Sequence, residues 1–245
     1  MIILGDIGNT ETKICLVNNN RIIKRILVPS LGKKIHILNR YFKKFDFSKI
    51  EKILFCSVVP STFKELKSYF KKKTLIKCHE LKELNLKSIL KIDVNYKQVG
   101  SDRLANSISV YEKNKNFIIL DFGTATTFDV LIGKNYKGGI ISPGINLSLT
   151  TLSDKASLIP KINLKKMSKV IGKDTKSAVR SGFFWGYAGL IDNIINLIKK
   201  ETKKTFKIVI TGGFSKLFKD SIKTKAKQDF DITINGLIKA SKLIK

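Results

Sequence analysis

Eight residues near the start of the chain, Asp6-Ile7-Gly8-Asn9-Thr10-Glu11-Thr12-Lys13, bring together the groups that phosphate chemistry needs. An apolar strand that ends in a carboxylate and turns through glycine can direct bare backbone N–H groups at an anion. Thr10 and Thr12 add hydroxyl donors and Lys13 a cation, and Asp6 is placed to hold a hydrated Mg2+ beside a transferred phosphoryl group. Read alone, the same octapeptide is an ordinary hairpin whose Gly and Asn relax the turn.

The motif has an echo. Asp121-Phe122-Gly123-Thr124-Ala125-Thr126-Thr127 repeats the aspartate, the glycine and the threonines in the second half of the chain. Two such turns, one per half, are expected to face each other across a cleft and hold one nucleotide's phosphates from both sides. A third element, Ile208-Val209-Ile210-Thr211-Gly212-Gly213-Phe214, is an apolar run ending in a glycine pair, where a side chain would obstruct a ribose or a flat ring. It reads as the nucleoside end of the same site.

Between the halves lies Val99-Gly100-Ser101-Asp102-Arg103-Leu104-Ala105-Asn106, with Leu104, Ile108 and Tyr111 at helical spacing. One reading makes Ser101 a helix N-cap, lets Asp102 favour the dipole and leaves Arg103 on the surface. The other uses the same helix N-terminus to bind an anion, Arg103 to grip a carboxylate with two hydrogen bonds, and Asp102 to take a proton from a hydroxyl. Phosphorylation of a small hydroxy acid needs all three.

The elements that must position these residues repeat as well. Ile2 to Leu4, Lys13 to Val17 and Arg21 to Val28 read as three antiparallel strands. A helix follows from about Lys33 to Lys43, then a strand from Ile53 to Val59, then a helix capped by Ser61 and running through Tyr69. Phe117 to Leu120, Thr127 to Ile132 and Tyr136 to Ile141 form a second set of three strands. Helices over Ile145 to Leu152 and Lys176 to Lys200, a strand from Lys207 to Thr211 and a terminal helix from about Asn235 complete the pattern. The order predicts an internally duplicated α/β protein of two similar lobes, residues 1–115 and 116–245, each with a mixed sheet.

Composition narrows the function. The chain has 245 residues and a formal charge of +28, from 47 Lys and Arg against 19 Asp and Glu. Only Arg21, Arg25, Arg40, Arg103 and Arg180 are arginines, and the lysines are scattered along the chain. Nucleic-acid recognition favours the planar arginine fork, so the charge reads as a solvated lysine surface and no nucleic-acid partner is expected. Cys15, Cys56 and Cys78 show no paired spacing and read as buried, reduced thiols. No stretch has the length or character of a signal peptide or a membrane span, so a cytoplasmic protein is expected.

With these stretches in view, the sequence resembles the type III pantothenate kinases. The resemblance is carried by Asp6 to Lys13, Gly100-Ser101-Asp102-Arg103, Asp121 to Thr127, Gly138-Gly139-Ile140-Ile141-Ser142-Pro143-Gly144 and Thr211-Gly212-Gly213, in the family's order. It implies an actin-like ATPase fold of two ribonuclease-H-like lobes with the active site in the cleft between them. It also implies ATP-dependent phosphorylation of pantothenate as the first step of coenzyme A synthesis, a homodimer, and dependence on Mg2+ and on a monovalent cation, K+ or NH4+.

Residue by residue, the resemblance gives ATP to the turn Asp6, Ile7, Gly8, Asn9, Thr10, Glu11, Thr12 and Lys13, with Thr124 as a further contact. Asp102 becomes the proton acceptor, Gly100, Ser101, Asp102, Arg103 and Thr175 hold pantothenate, and Asp121 ligates the monovalent cation. The family's tyrosine, seven residues before the glycine of Gly-x-Asp-Arg, falls on Asp93 here. Tyr96, four residues before Gly100, is the substrate-contact candidate of a shortened loop. Two other readings keep the fold: a kinase with a different hydroxy-acid acceptor, and a nucleic-acid-associated transcription accessory factor supported only by the charge.

Overall fold

The structure is a computed structural model describing residues 1–30, 35–43 and 45–244. Its elements are β1 (Ile2–Ile7), β2 (Glu11–Asn18), β3 (Arg21–Pro29), α1 (Ile35–Phe42), β4 (Lys52–Ser57), α2 (Pro60–Lys73), β5 (Cys78–Glu80), β6 (Lys91–Ile92) and α3 (Ser101–Val110). These are followed by β7 (Asn116–Phe122), β8 (Ala125–Ile132), β9 (Asn135–Pro143), α4 (Ile145–Lys155), α5 (Thr175–Thr202), β10 (Lys207–Gly212), α6 (Ser215–Phe218), β11 (Ala226–Gln228) and α7 (Ile232–Ala240).

The chain divides into two compact units. The first comprises Met1–Tyr111, Lys134–Tyr136 and Asp231–Lys245, the second Glu112–Gly133 and Lys137–Phe230.

In the first unit the sheet order is β3-β2-β1-β4-β5. β1 pairs antiparallel with β2 and parallel with β4, and β4 pairs parallel with β5. β1 is central, so Ile3, Leu4 and Ile7 are buried and the strand reads as an almost continuous apolar run. Gly5 lies under the Phe55 ring, where an added Cβ would stand 2.1 Å from a ring carbon. The β2–β3 turn passes through Asn19 and Asn20 at φ 47° and 61°, a left-handed pair that asparagine tolerates and tight hairpins require.

α7 packs on α3 through Gly236, where a Cβ would stand 1.9 Å from the carbonyl oxygen of Ala105. The terminal helix therefore belongs to the first unit. Its N-terminal Asp231 is ion-paired with Arg25 of β3 at 2.6 Å.

The second unit repeats the arrangement. β7 pairs antiparallel with β8 and parallel with β10, and β10 pairs parallel with β11. The strands of this unit run β11-β10-β7-β8-β9 within a six-stranded sheet, the same order as the first read in the opposite direction. This duplication is the one the spacing of strands predicts. One face is covered by α5, whose Phe184, Ala188, Ile191, Ile195 and Ile198 recur at helical spacing and enter the core. Phe122 stacks on Phe218 there, with centroids 5.4 Å apart.

The sequence-predicted helix over Lys33 to Lys43 is seen as Ile35–Phe42, and Lys33 and Lys34 lie outside the described residues. The cap of α2 is a correction. Val59 is the N-cap and Pro60 opens the helix, with no side-chain cap from Ser61, because a proline's fixed φ suits the first helical position. Among the described residues no helix is long and apolar enough to cross a membrane.

Candidate active site

In the first unit the parallel strands β1, β4 and β5 end side by side, with Ile7 opposite Ser57 and Phe55 opposite Glu80. The carboxyl edge of such a sheet is where α/β folds place ligands, and the sequence-predicted turn leaves from it. The turn is held from below: the Gly8 N–H donates to Glu11 O at 3.1 Å and the Ser30 N–H to Thr10 O at 3.0 Å. The Ser30 hydroxyl donates to Gly8 O. Asn9, Thr10 and Glu11 are exposed at its tip.

Register decides which side chains share a face. Asp6 is opposite Lys13, and Ile7 opposite Thr12. Directly opposed residues point the same way, so Asp6 and Lys13 face together while Thr12 turns with Ile7 to the other side. The Thr12 hydroxyl is buried there without a hydrogen-bond partner.

Asp6 is partly buried, and its carboxyl is pushed up to about 6, first by burial and then by the negative charge of Asp102. Cys56, its register partner on β4, opposes the rise with a thiol 3.5 Å from Oδ1. All three cysteines are buried and free, with thiols raised by burial, to about 11 for Cys15 and about 12 for Cys78.

Asp102 sits in the first turn of α3. Burial raises its carboxyl, and the Arg103 N–H, donating to Oδ1 at 2.8 Å, and the Arg103 guanidinium oppose that rise. Gly100, not Ser101, is the N-cap, and a Cβ on Gly100 would stand 2.4 Å from Asp102 Oδ1. The sequence offered Ser101 as the cap, but its hydroxyl is used elsewhere. It accepts the Ser57 N–H at 2.9 Å and donates to Glu80 Oε1, and the residue is 1% exposed.

Tyr96 is half-buried, and its hydroxyl donates to Lys82 O at 2.9 Å. Glu80 and Ser57 were not singled out in the sequence, and Cys56 was read there only as a buried thiol. They follow no motif: strand register brings Cys56 to Asp6, and the packing of α3 brings Ser57 and Glu80 to Ser101.

In the second unit Asp121 pairs with Thr127 and Phe122 with Thr126, repeating the two-faced hairpin of the first. Phe122 and Thr126 are buried, while Gly123 and Thr124 are exposed at the turn. Gly144, the N-cap of α4, lies against this turn so closely that a Cβ would be 2.1 Å from Thr124 O. The end of β10 lies beside it, with Thr211 opposite Asp121 and the Gly213 N–H donating to Phe122 O at 3.2 Å. Gly212 has φ 84°, and a Cβ there would meet the Phe122 backbone at 2.6 Å, whereas Gly213 has open space. Asp121, Thr124, Gly212 and Gly213 are thereby brought together at one carboxyl edge. Thr175 is exposed in the first turn of α5, which is capped by Asp174 through the Ser177 N–H at 2.9 Å.

The residues present fit a magnesium ion. Asp6 supplies a hard carboxylate oxygen, and the charge conflict between Asp6 and Asp102 is one that a cation would relieve. Among the described residues no cluster of three or more His, Cys, Asp or Glu forms a dedicated cage.

Comparison with known proteins agrees with this geometry. The type III pantothenate kinase family profile matches residues 2–197. A protein of Pelagibacter ubique (strain HTCC1062) named type III pantothenate kinase is 66% identical over 250 residues, covering 100% of both chains. A solved structure from Campylobacter jejuni, described as a Baf family transcriptional activator, superposes with a TM-score of 0.65 at 20% identity over 98% of this chain and 97% of that one. A glucokinase from an Antarctic psychrotroph does so at 0.54 and 10% identity, covering 98% of each. These two share the fold, that of the actin-like ATPases. Two duplicated Asp-x-Gly turns, the Gly-x-Asp-Arg helix start and a full-length relative at high identity lead to one assignment: the chain belongs to the type III pantothenate kinase family.

Proposed function

We propose that Asp102 is the proton acceptor when this chain carries out its family's reaction, the ATP-dependent phosphorylation of pantothenate to 4'-phosphopantothenate that opens coenzyme A synthesis. The observation that supports the role is the pairing of Asp6 and Asp102 in one unit. Two carboxylates, each raised by burial, lie close enough for one to oppose ionisation of the other. Such an arrangement separates the work of a metal-holding acid from that of a base.

The turn from Asp6 to Lys13, apart from the buried Thr12 side chain, takes the phosphates, with Thr124, Gly212 and Gly213 as further ATP contacts. Asp6 holds Mg2+ through water, and the ion, when bound, neutralises charge on the transferred group. Gly100, Asp102, Arg103 and Thr175 bind pantothenate, the Arg103 guanidinium gripping its carboxylate. Ser101 and Tyr96 serve the same site from behind, since their hydroxyls are bonded to Ser57, Glu80 and Lys82. Asp121 ligates a monovalent cation, K+ or NH4+. The protein works as a cytoplasmic homodimer.

Transfer is in line, through a loose transition state, so positioning matters more than proton removal. Asp102 first orients the acceptor hydroxyl and takes its proton late. A raised carboxyl is the better base for that step, because its proton affinity comes nearer to that of the acceptor oxygen whose proton it takes as the new P–O bond forms.

A coupled ADP-release assay tests the reading, with pantothenate as acceptor and K+ or Na+ as the salt. ADP release that needs both pantothenate and K+ supports it. Equal release in Na+ removes the cation site, and release independent of pantothenate removes the acceptor assignment.

A further inference from the structure

The N-terminus of α3 carries Asp102 yet has no side-chain cap, so something other than capping must fix its first turn. Two ties do so, and both come from residues 80 to 82, at the end of β5 and just beyond it.

The first runs through Ser101. Its hydroxyl lies beneath the helix start, accepts the Ser57 N–H at the end of β4, and donates to Glu80 at the end of β5. Glu80 is itself fixed, with Oε2 accepting the Lys82 N–H at 2.6 Å and its own N–H donating to Glu83 Oε2 at 3.4 Å, a reciprocal capping box.

The second tie runs through Lys82. Its ammonium donates to Lys97 O at 3.1 Å and Val99 O at 3.0 Å, holding the strand of chain that enters Gly100. The same ammonium lies 5.1 Å from the centroid of the Tyr96 ring, whose hydroxyl returns a bond to Lys82 O. Residues 80 to 82 thus grip the helix entry on both sides of Gly100.

We infer that Glu80, acting through Ser101 and supported by Lys82, is a positioning residue that sets where the Asp102 carboxylate stands. The inference rests on the reading of Asp102 as proton acceptor. Glu80 reaches the start of α3 through one hydroxyl, that of Ser101. A carboxylate suits the task because it accepts from Ser101 with one oxygen and from the Lys82 N–H with the other. A glutamine retains one acceptor oxygen and an alanine none.

The test compares Glu80→Ala, Glu80→Gln, Ser101→Ala and Asp102→Asn with the unaltered enzyme. The quantities measured are kcat for pantothenate per ATP-binding site and ATP affinity. Misplacing a reacting group by an ångström costs on the order of 10²-fold, so Glu80→Ala and Ser101→Ala should each lower kcat by about tenfold or more with ATP affinity kept. Glu80→Gln should recover most of the loss. The Glu80→Ala/Ser101→Ala double variant should lose no more than the worse single one, because both act on one contact.

A Glu80→Ala enzyme with unaltered kcat per ATP site overturns the inference. Should that variant not fold, an unaltered kcat in Ser101→Ala overturns it equally. Losses that simply multiply in the double variant overturn it too. Asp102→Asn separates the two levels. If it is inactive while Glu80→Ala is normal, only the positioning role falls; if it turns over normally, the base assignment falls and takes the inference with it.

Discussion

The Asp6 carboxyl at the end of β1 titrates near 6 because burial and the Asp102 carboxylate both oppose its ionisation. A group whose folded pKa exceeds its ordinary value of 3.8 binds its proton more tightly folded than unfolded. The stability this brings is fully present below about pH 4 and is lost as the pH rises through 6.

Asp6→Asn is therefore expected to stabilise the ligand-free protein at pH 7, by about 1–3 kcal/mol, and to make little difference at pH 4. Thermal unfolding of both proteins across that range measures it. A gain that is equal at both pH values would show that the Asp6 charge is not its source. The same variant should lose Mg-dependent ATP binding.

Gly100→Ala tests the steric margin around Asp102. The added Cβ would stand 2.4 Å from Oδ1, and the carboxylate has to swing away because the backbone at φ −61° accepts alanine. The expected outcome is a folded enzyme with near-normal melting and a kcat lower by about tenfold or more. Wild-type turnover would mean that the carboxylate position is not critical.

Gly212→Ala should behave differently, as a fold variant. Its φ of 84° is costly for any side chain, and its Cβ would press on the Phe122 backbone at 2.6 Å. A loss of at least about 1–3 kcal/mol is expected, measured by denaturant titration.

Much of this was legible in the sequence because it is local. Glycine and asparagine mark the hairpins, apolar runs mark the central strands, and both Asp-x-Gly turns fall where strands end. The cap of α2 was not legible, since Ser61 looks like a cap only until Pro60 is seen to occupy the first helical position. Ser101 misled for a related reason: a serine at a helix start can turn its hydroxyl to the backbone or, as here, to Ser57 and Glu80, 44 and 21 residues away. Thr12 looked like a phosphate donor, but strand alternation, fixed by its register with Ile7, carries it to the buried face. No local signal places Glu80 beside α3 or Gly236 against Ala105, because both contacts depend on tertiary packing.

The most direct test of the account is single-site turnover in Asp102→Asn. The substitution keeps the shape and removes the base, so pantothenate-dependent ADP release should fall by about 10²-fold or more while ATP affinity holds. Near-normal turnover in a folded, ATP-binding Asp102→Asn enzyme would contradict the assignment of Asp102 as the proton acceptor.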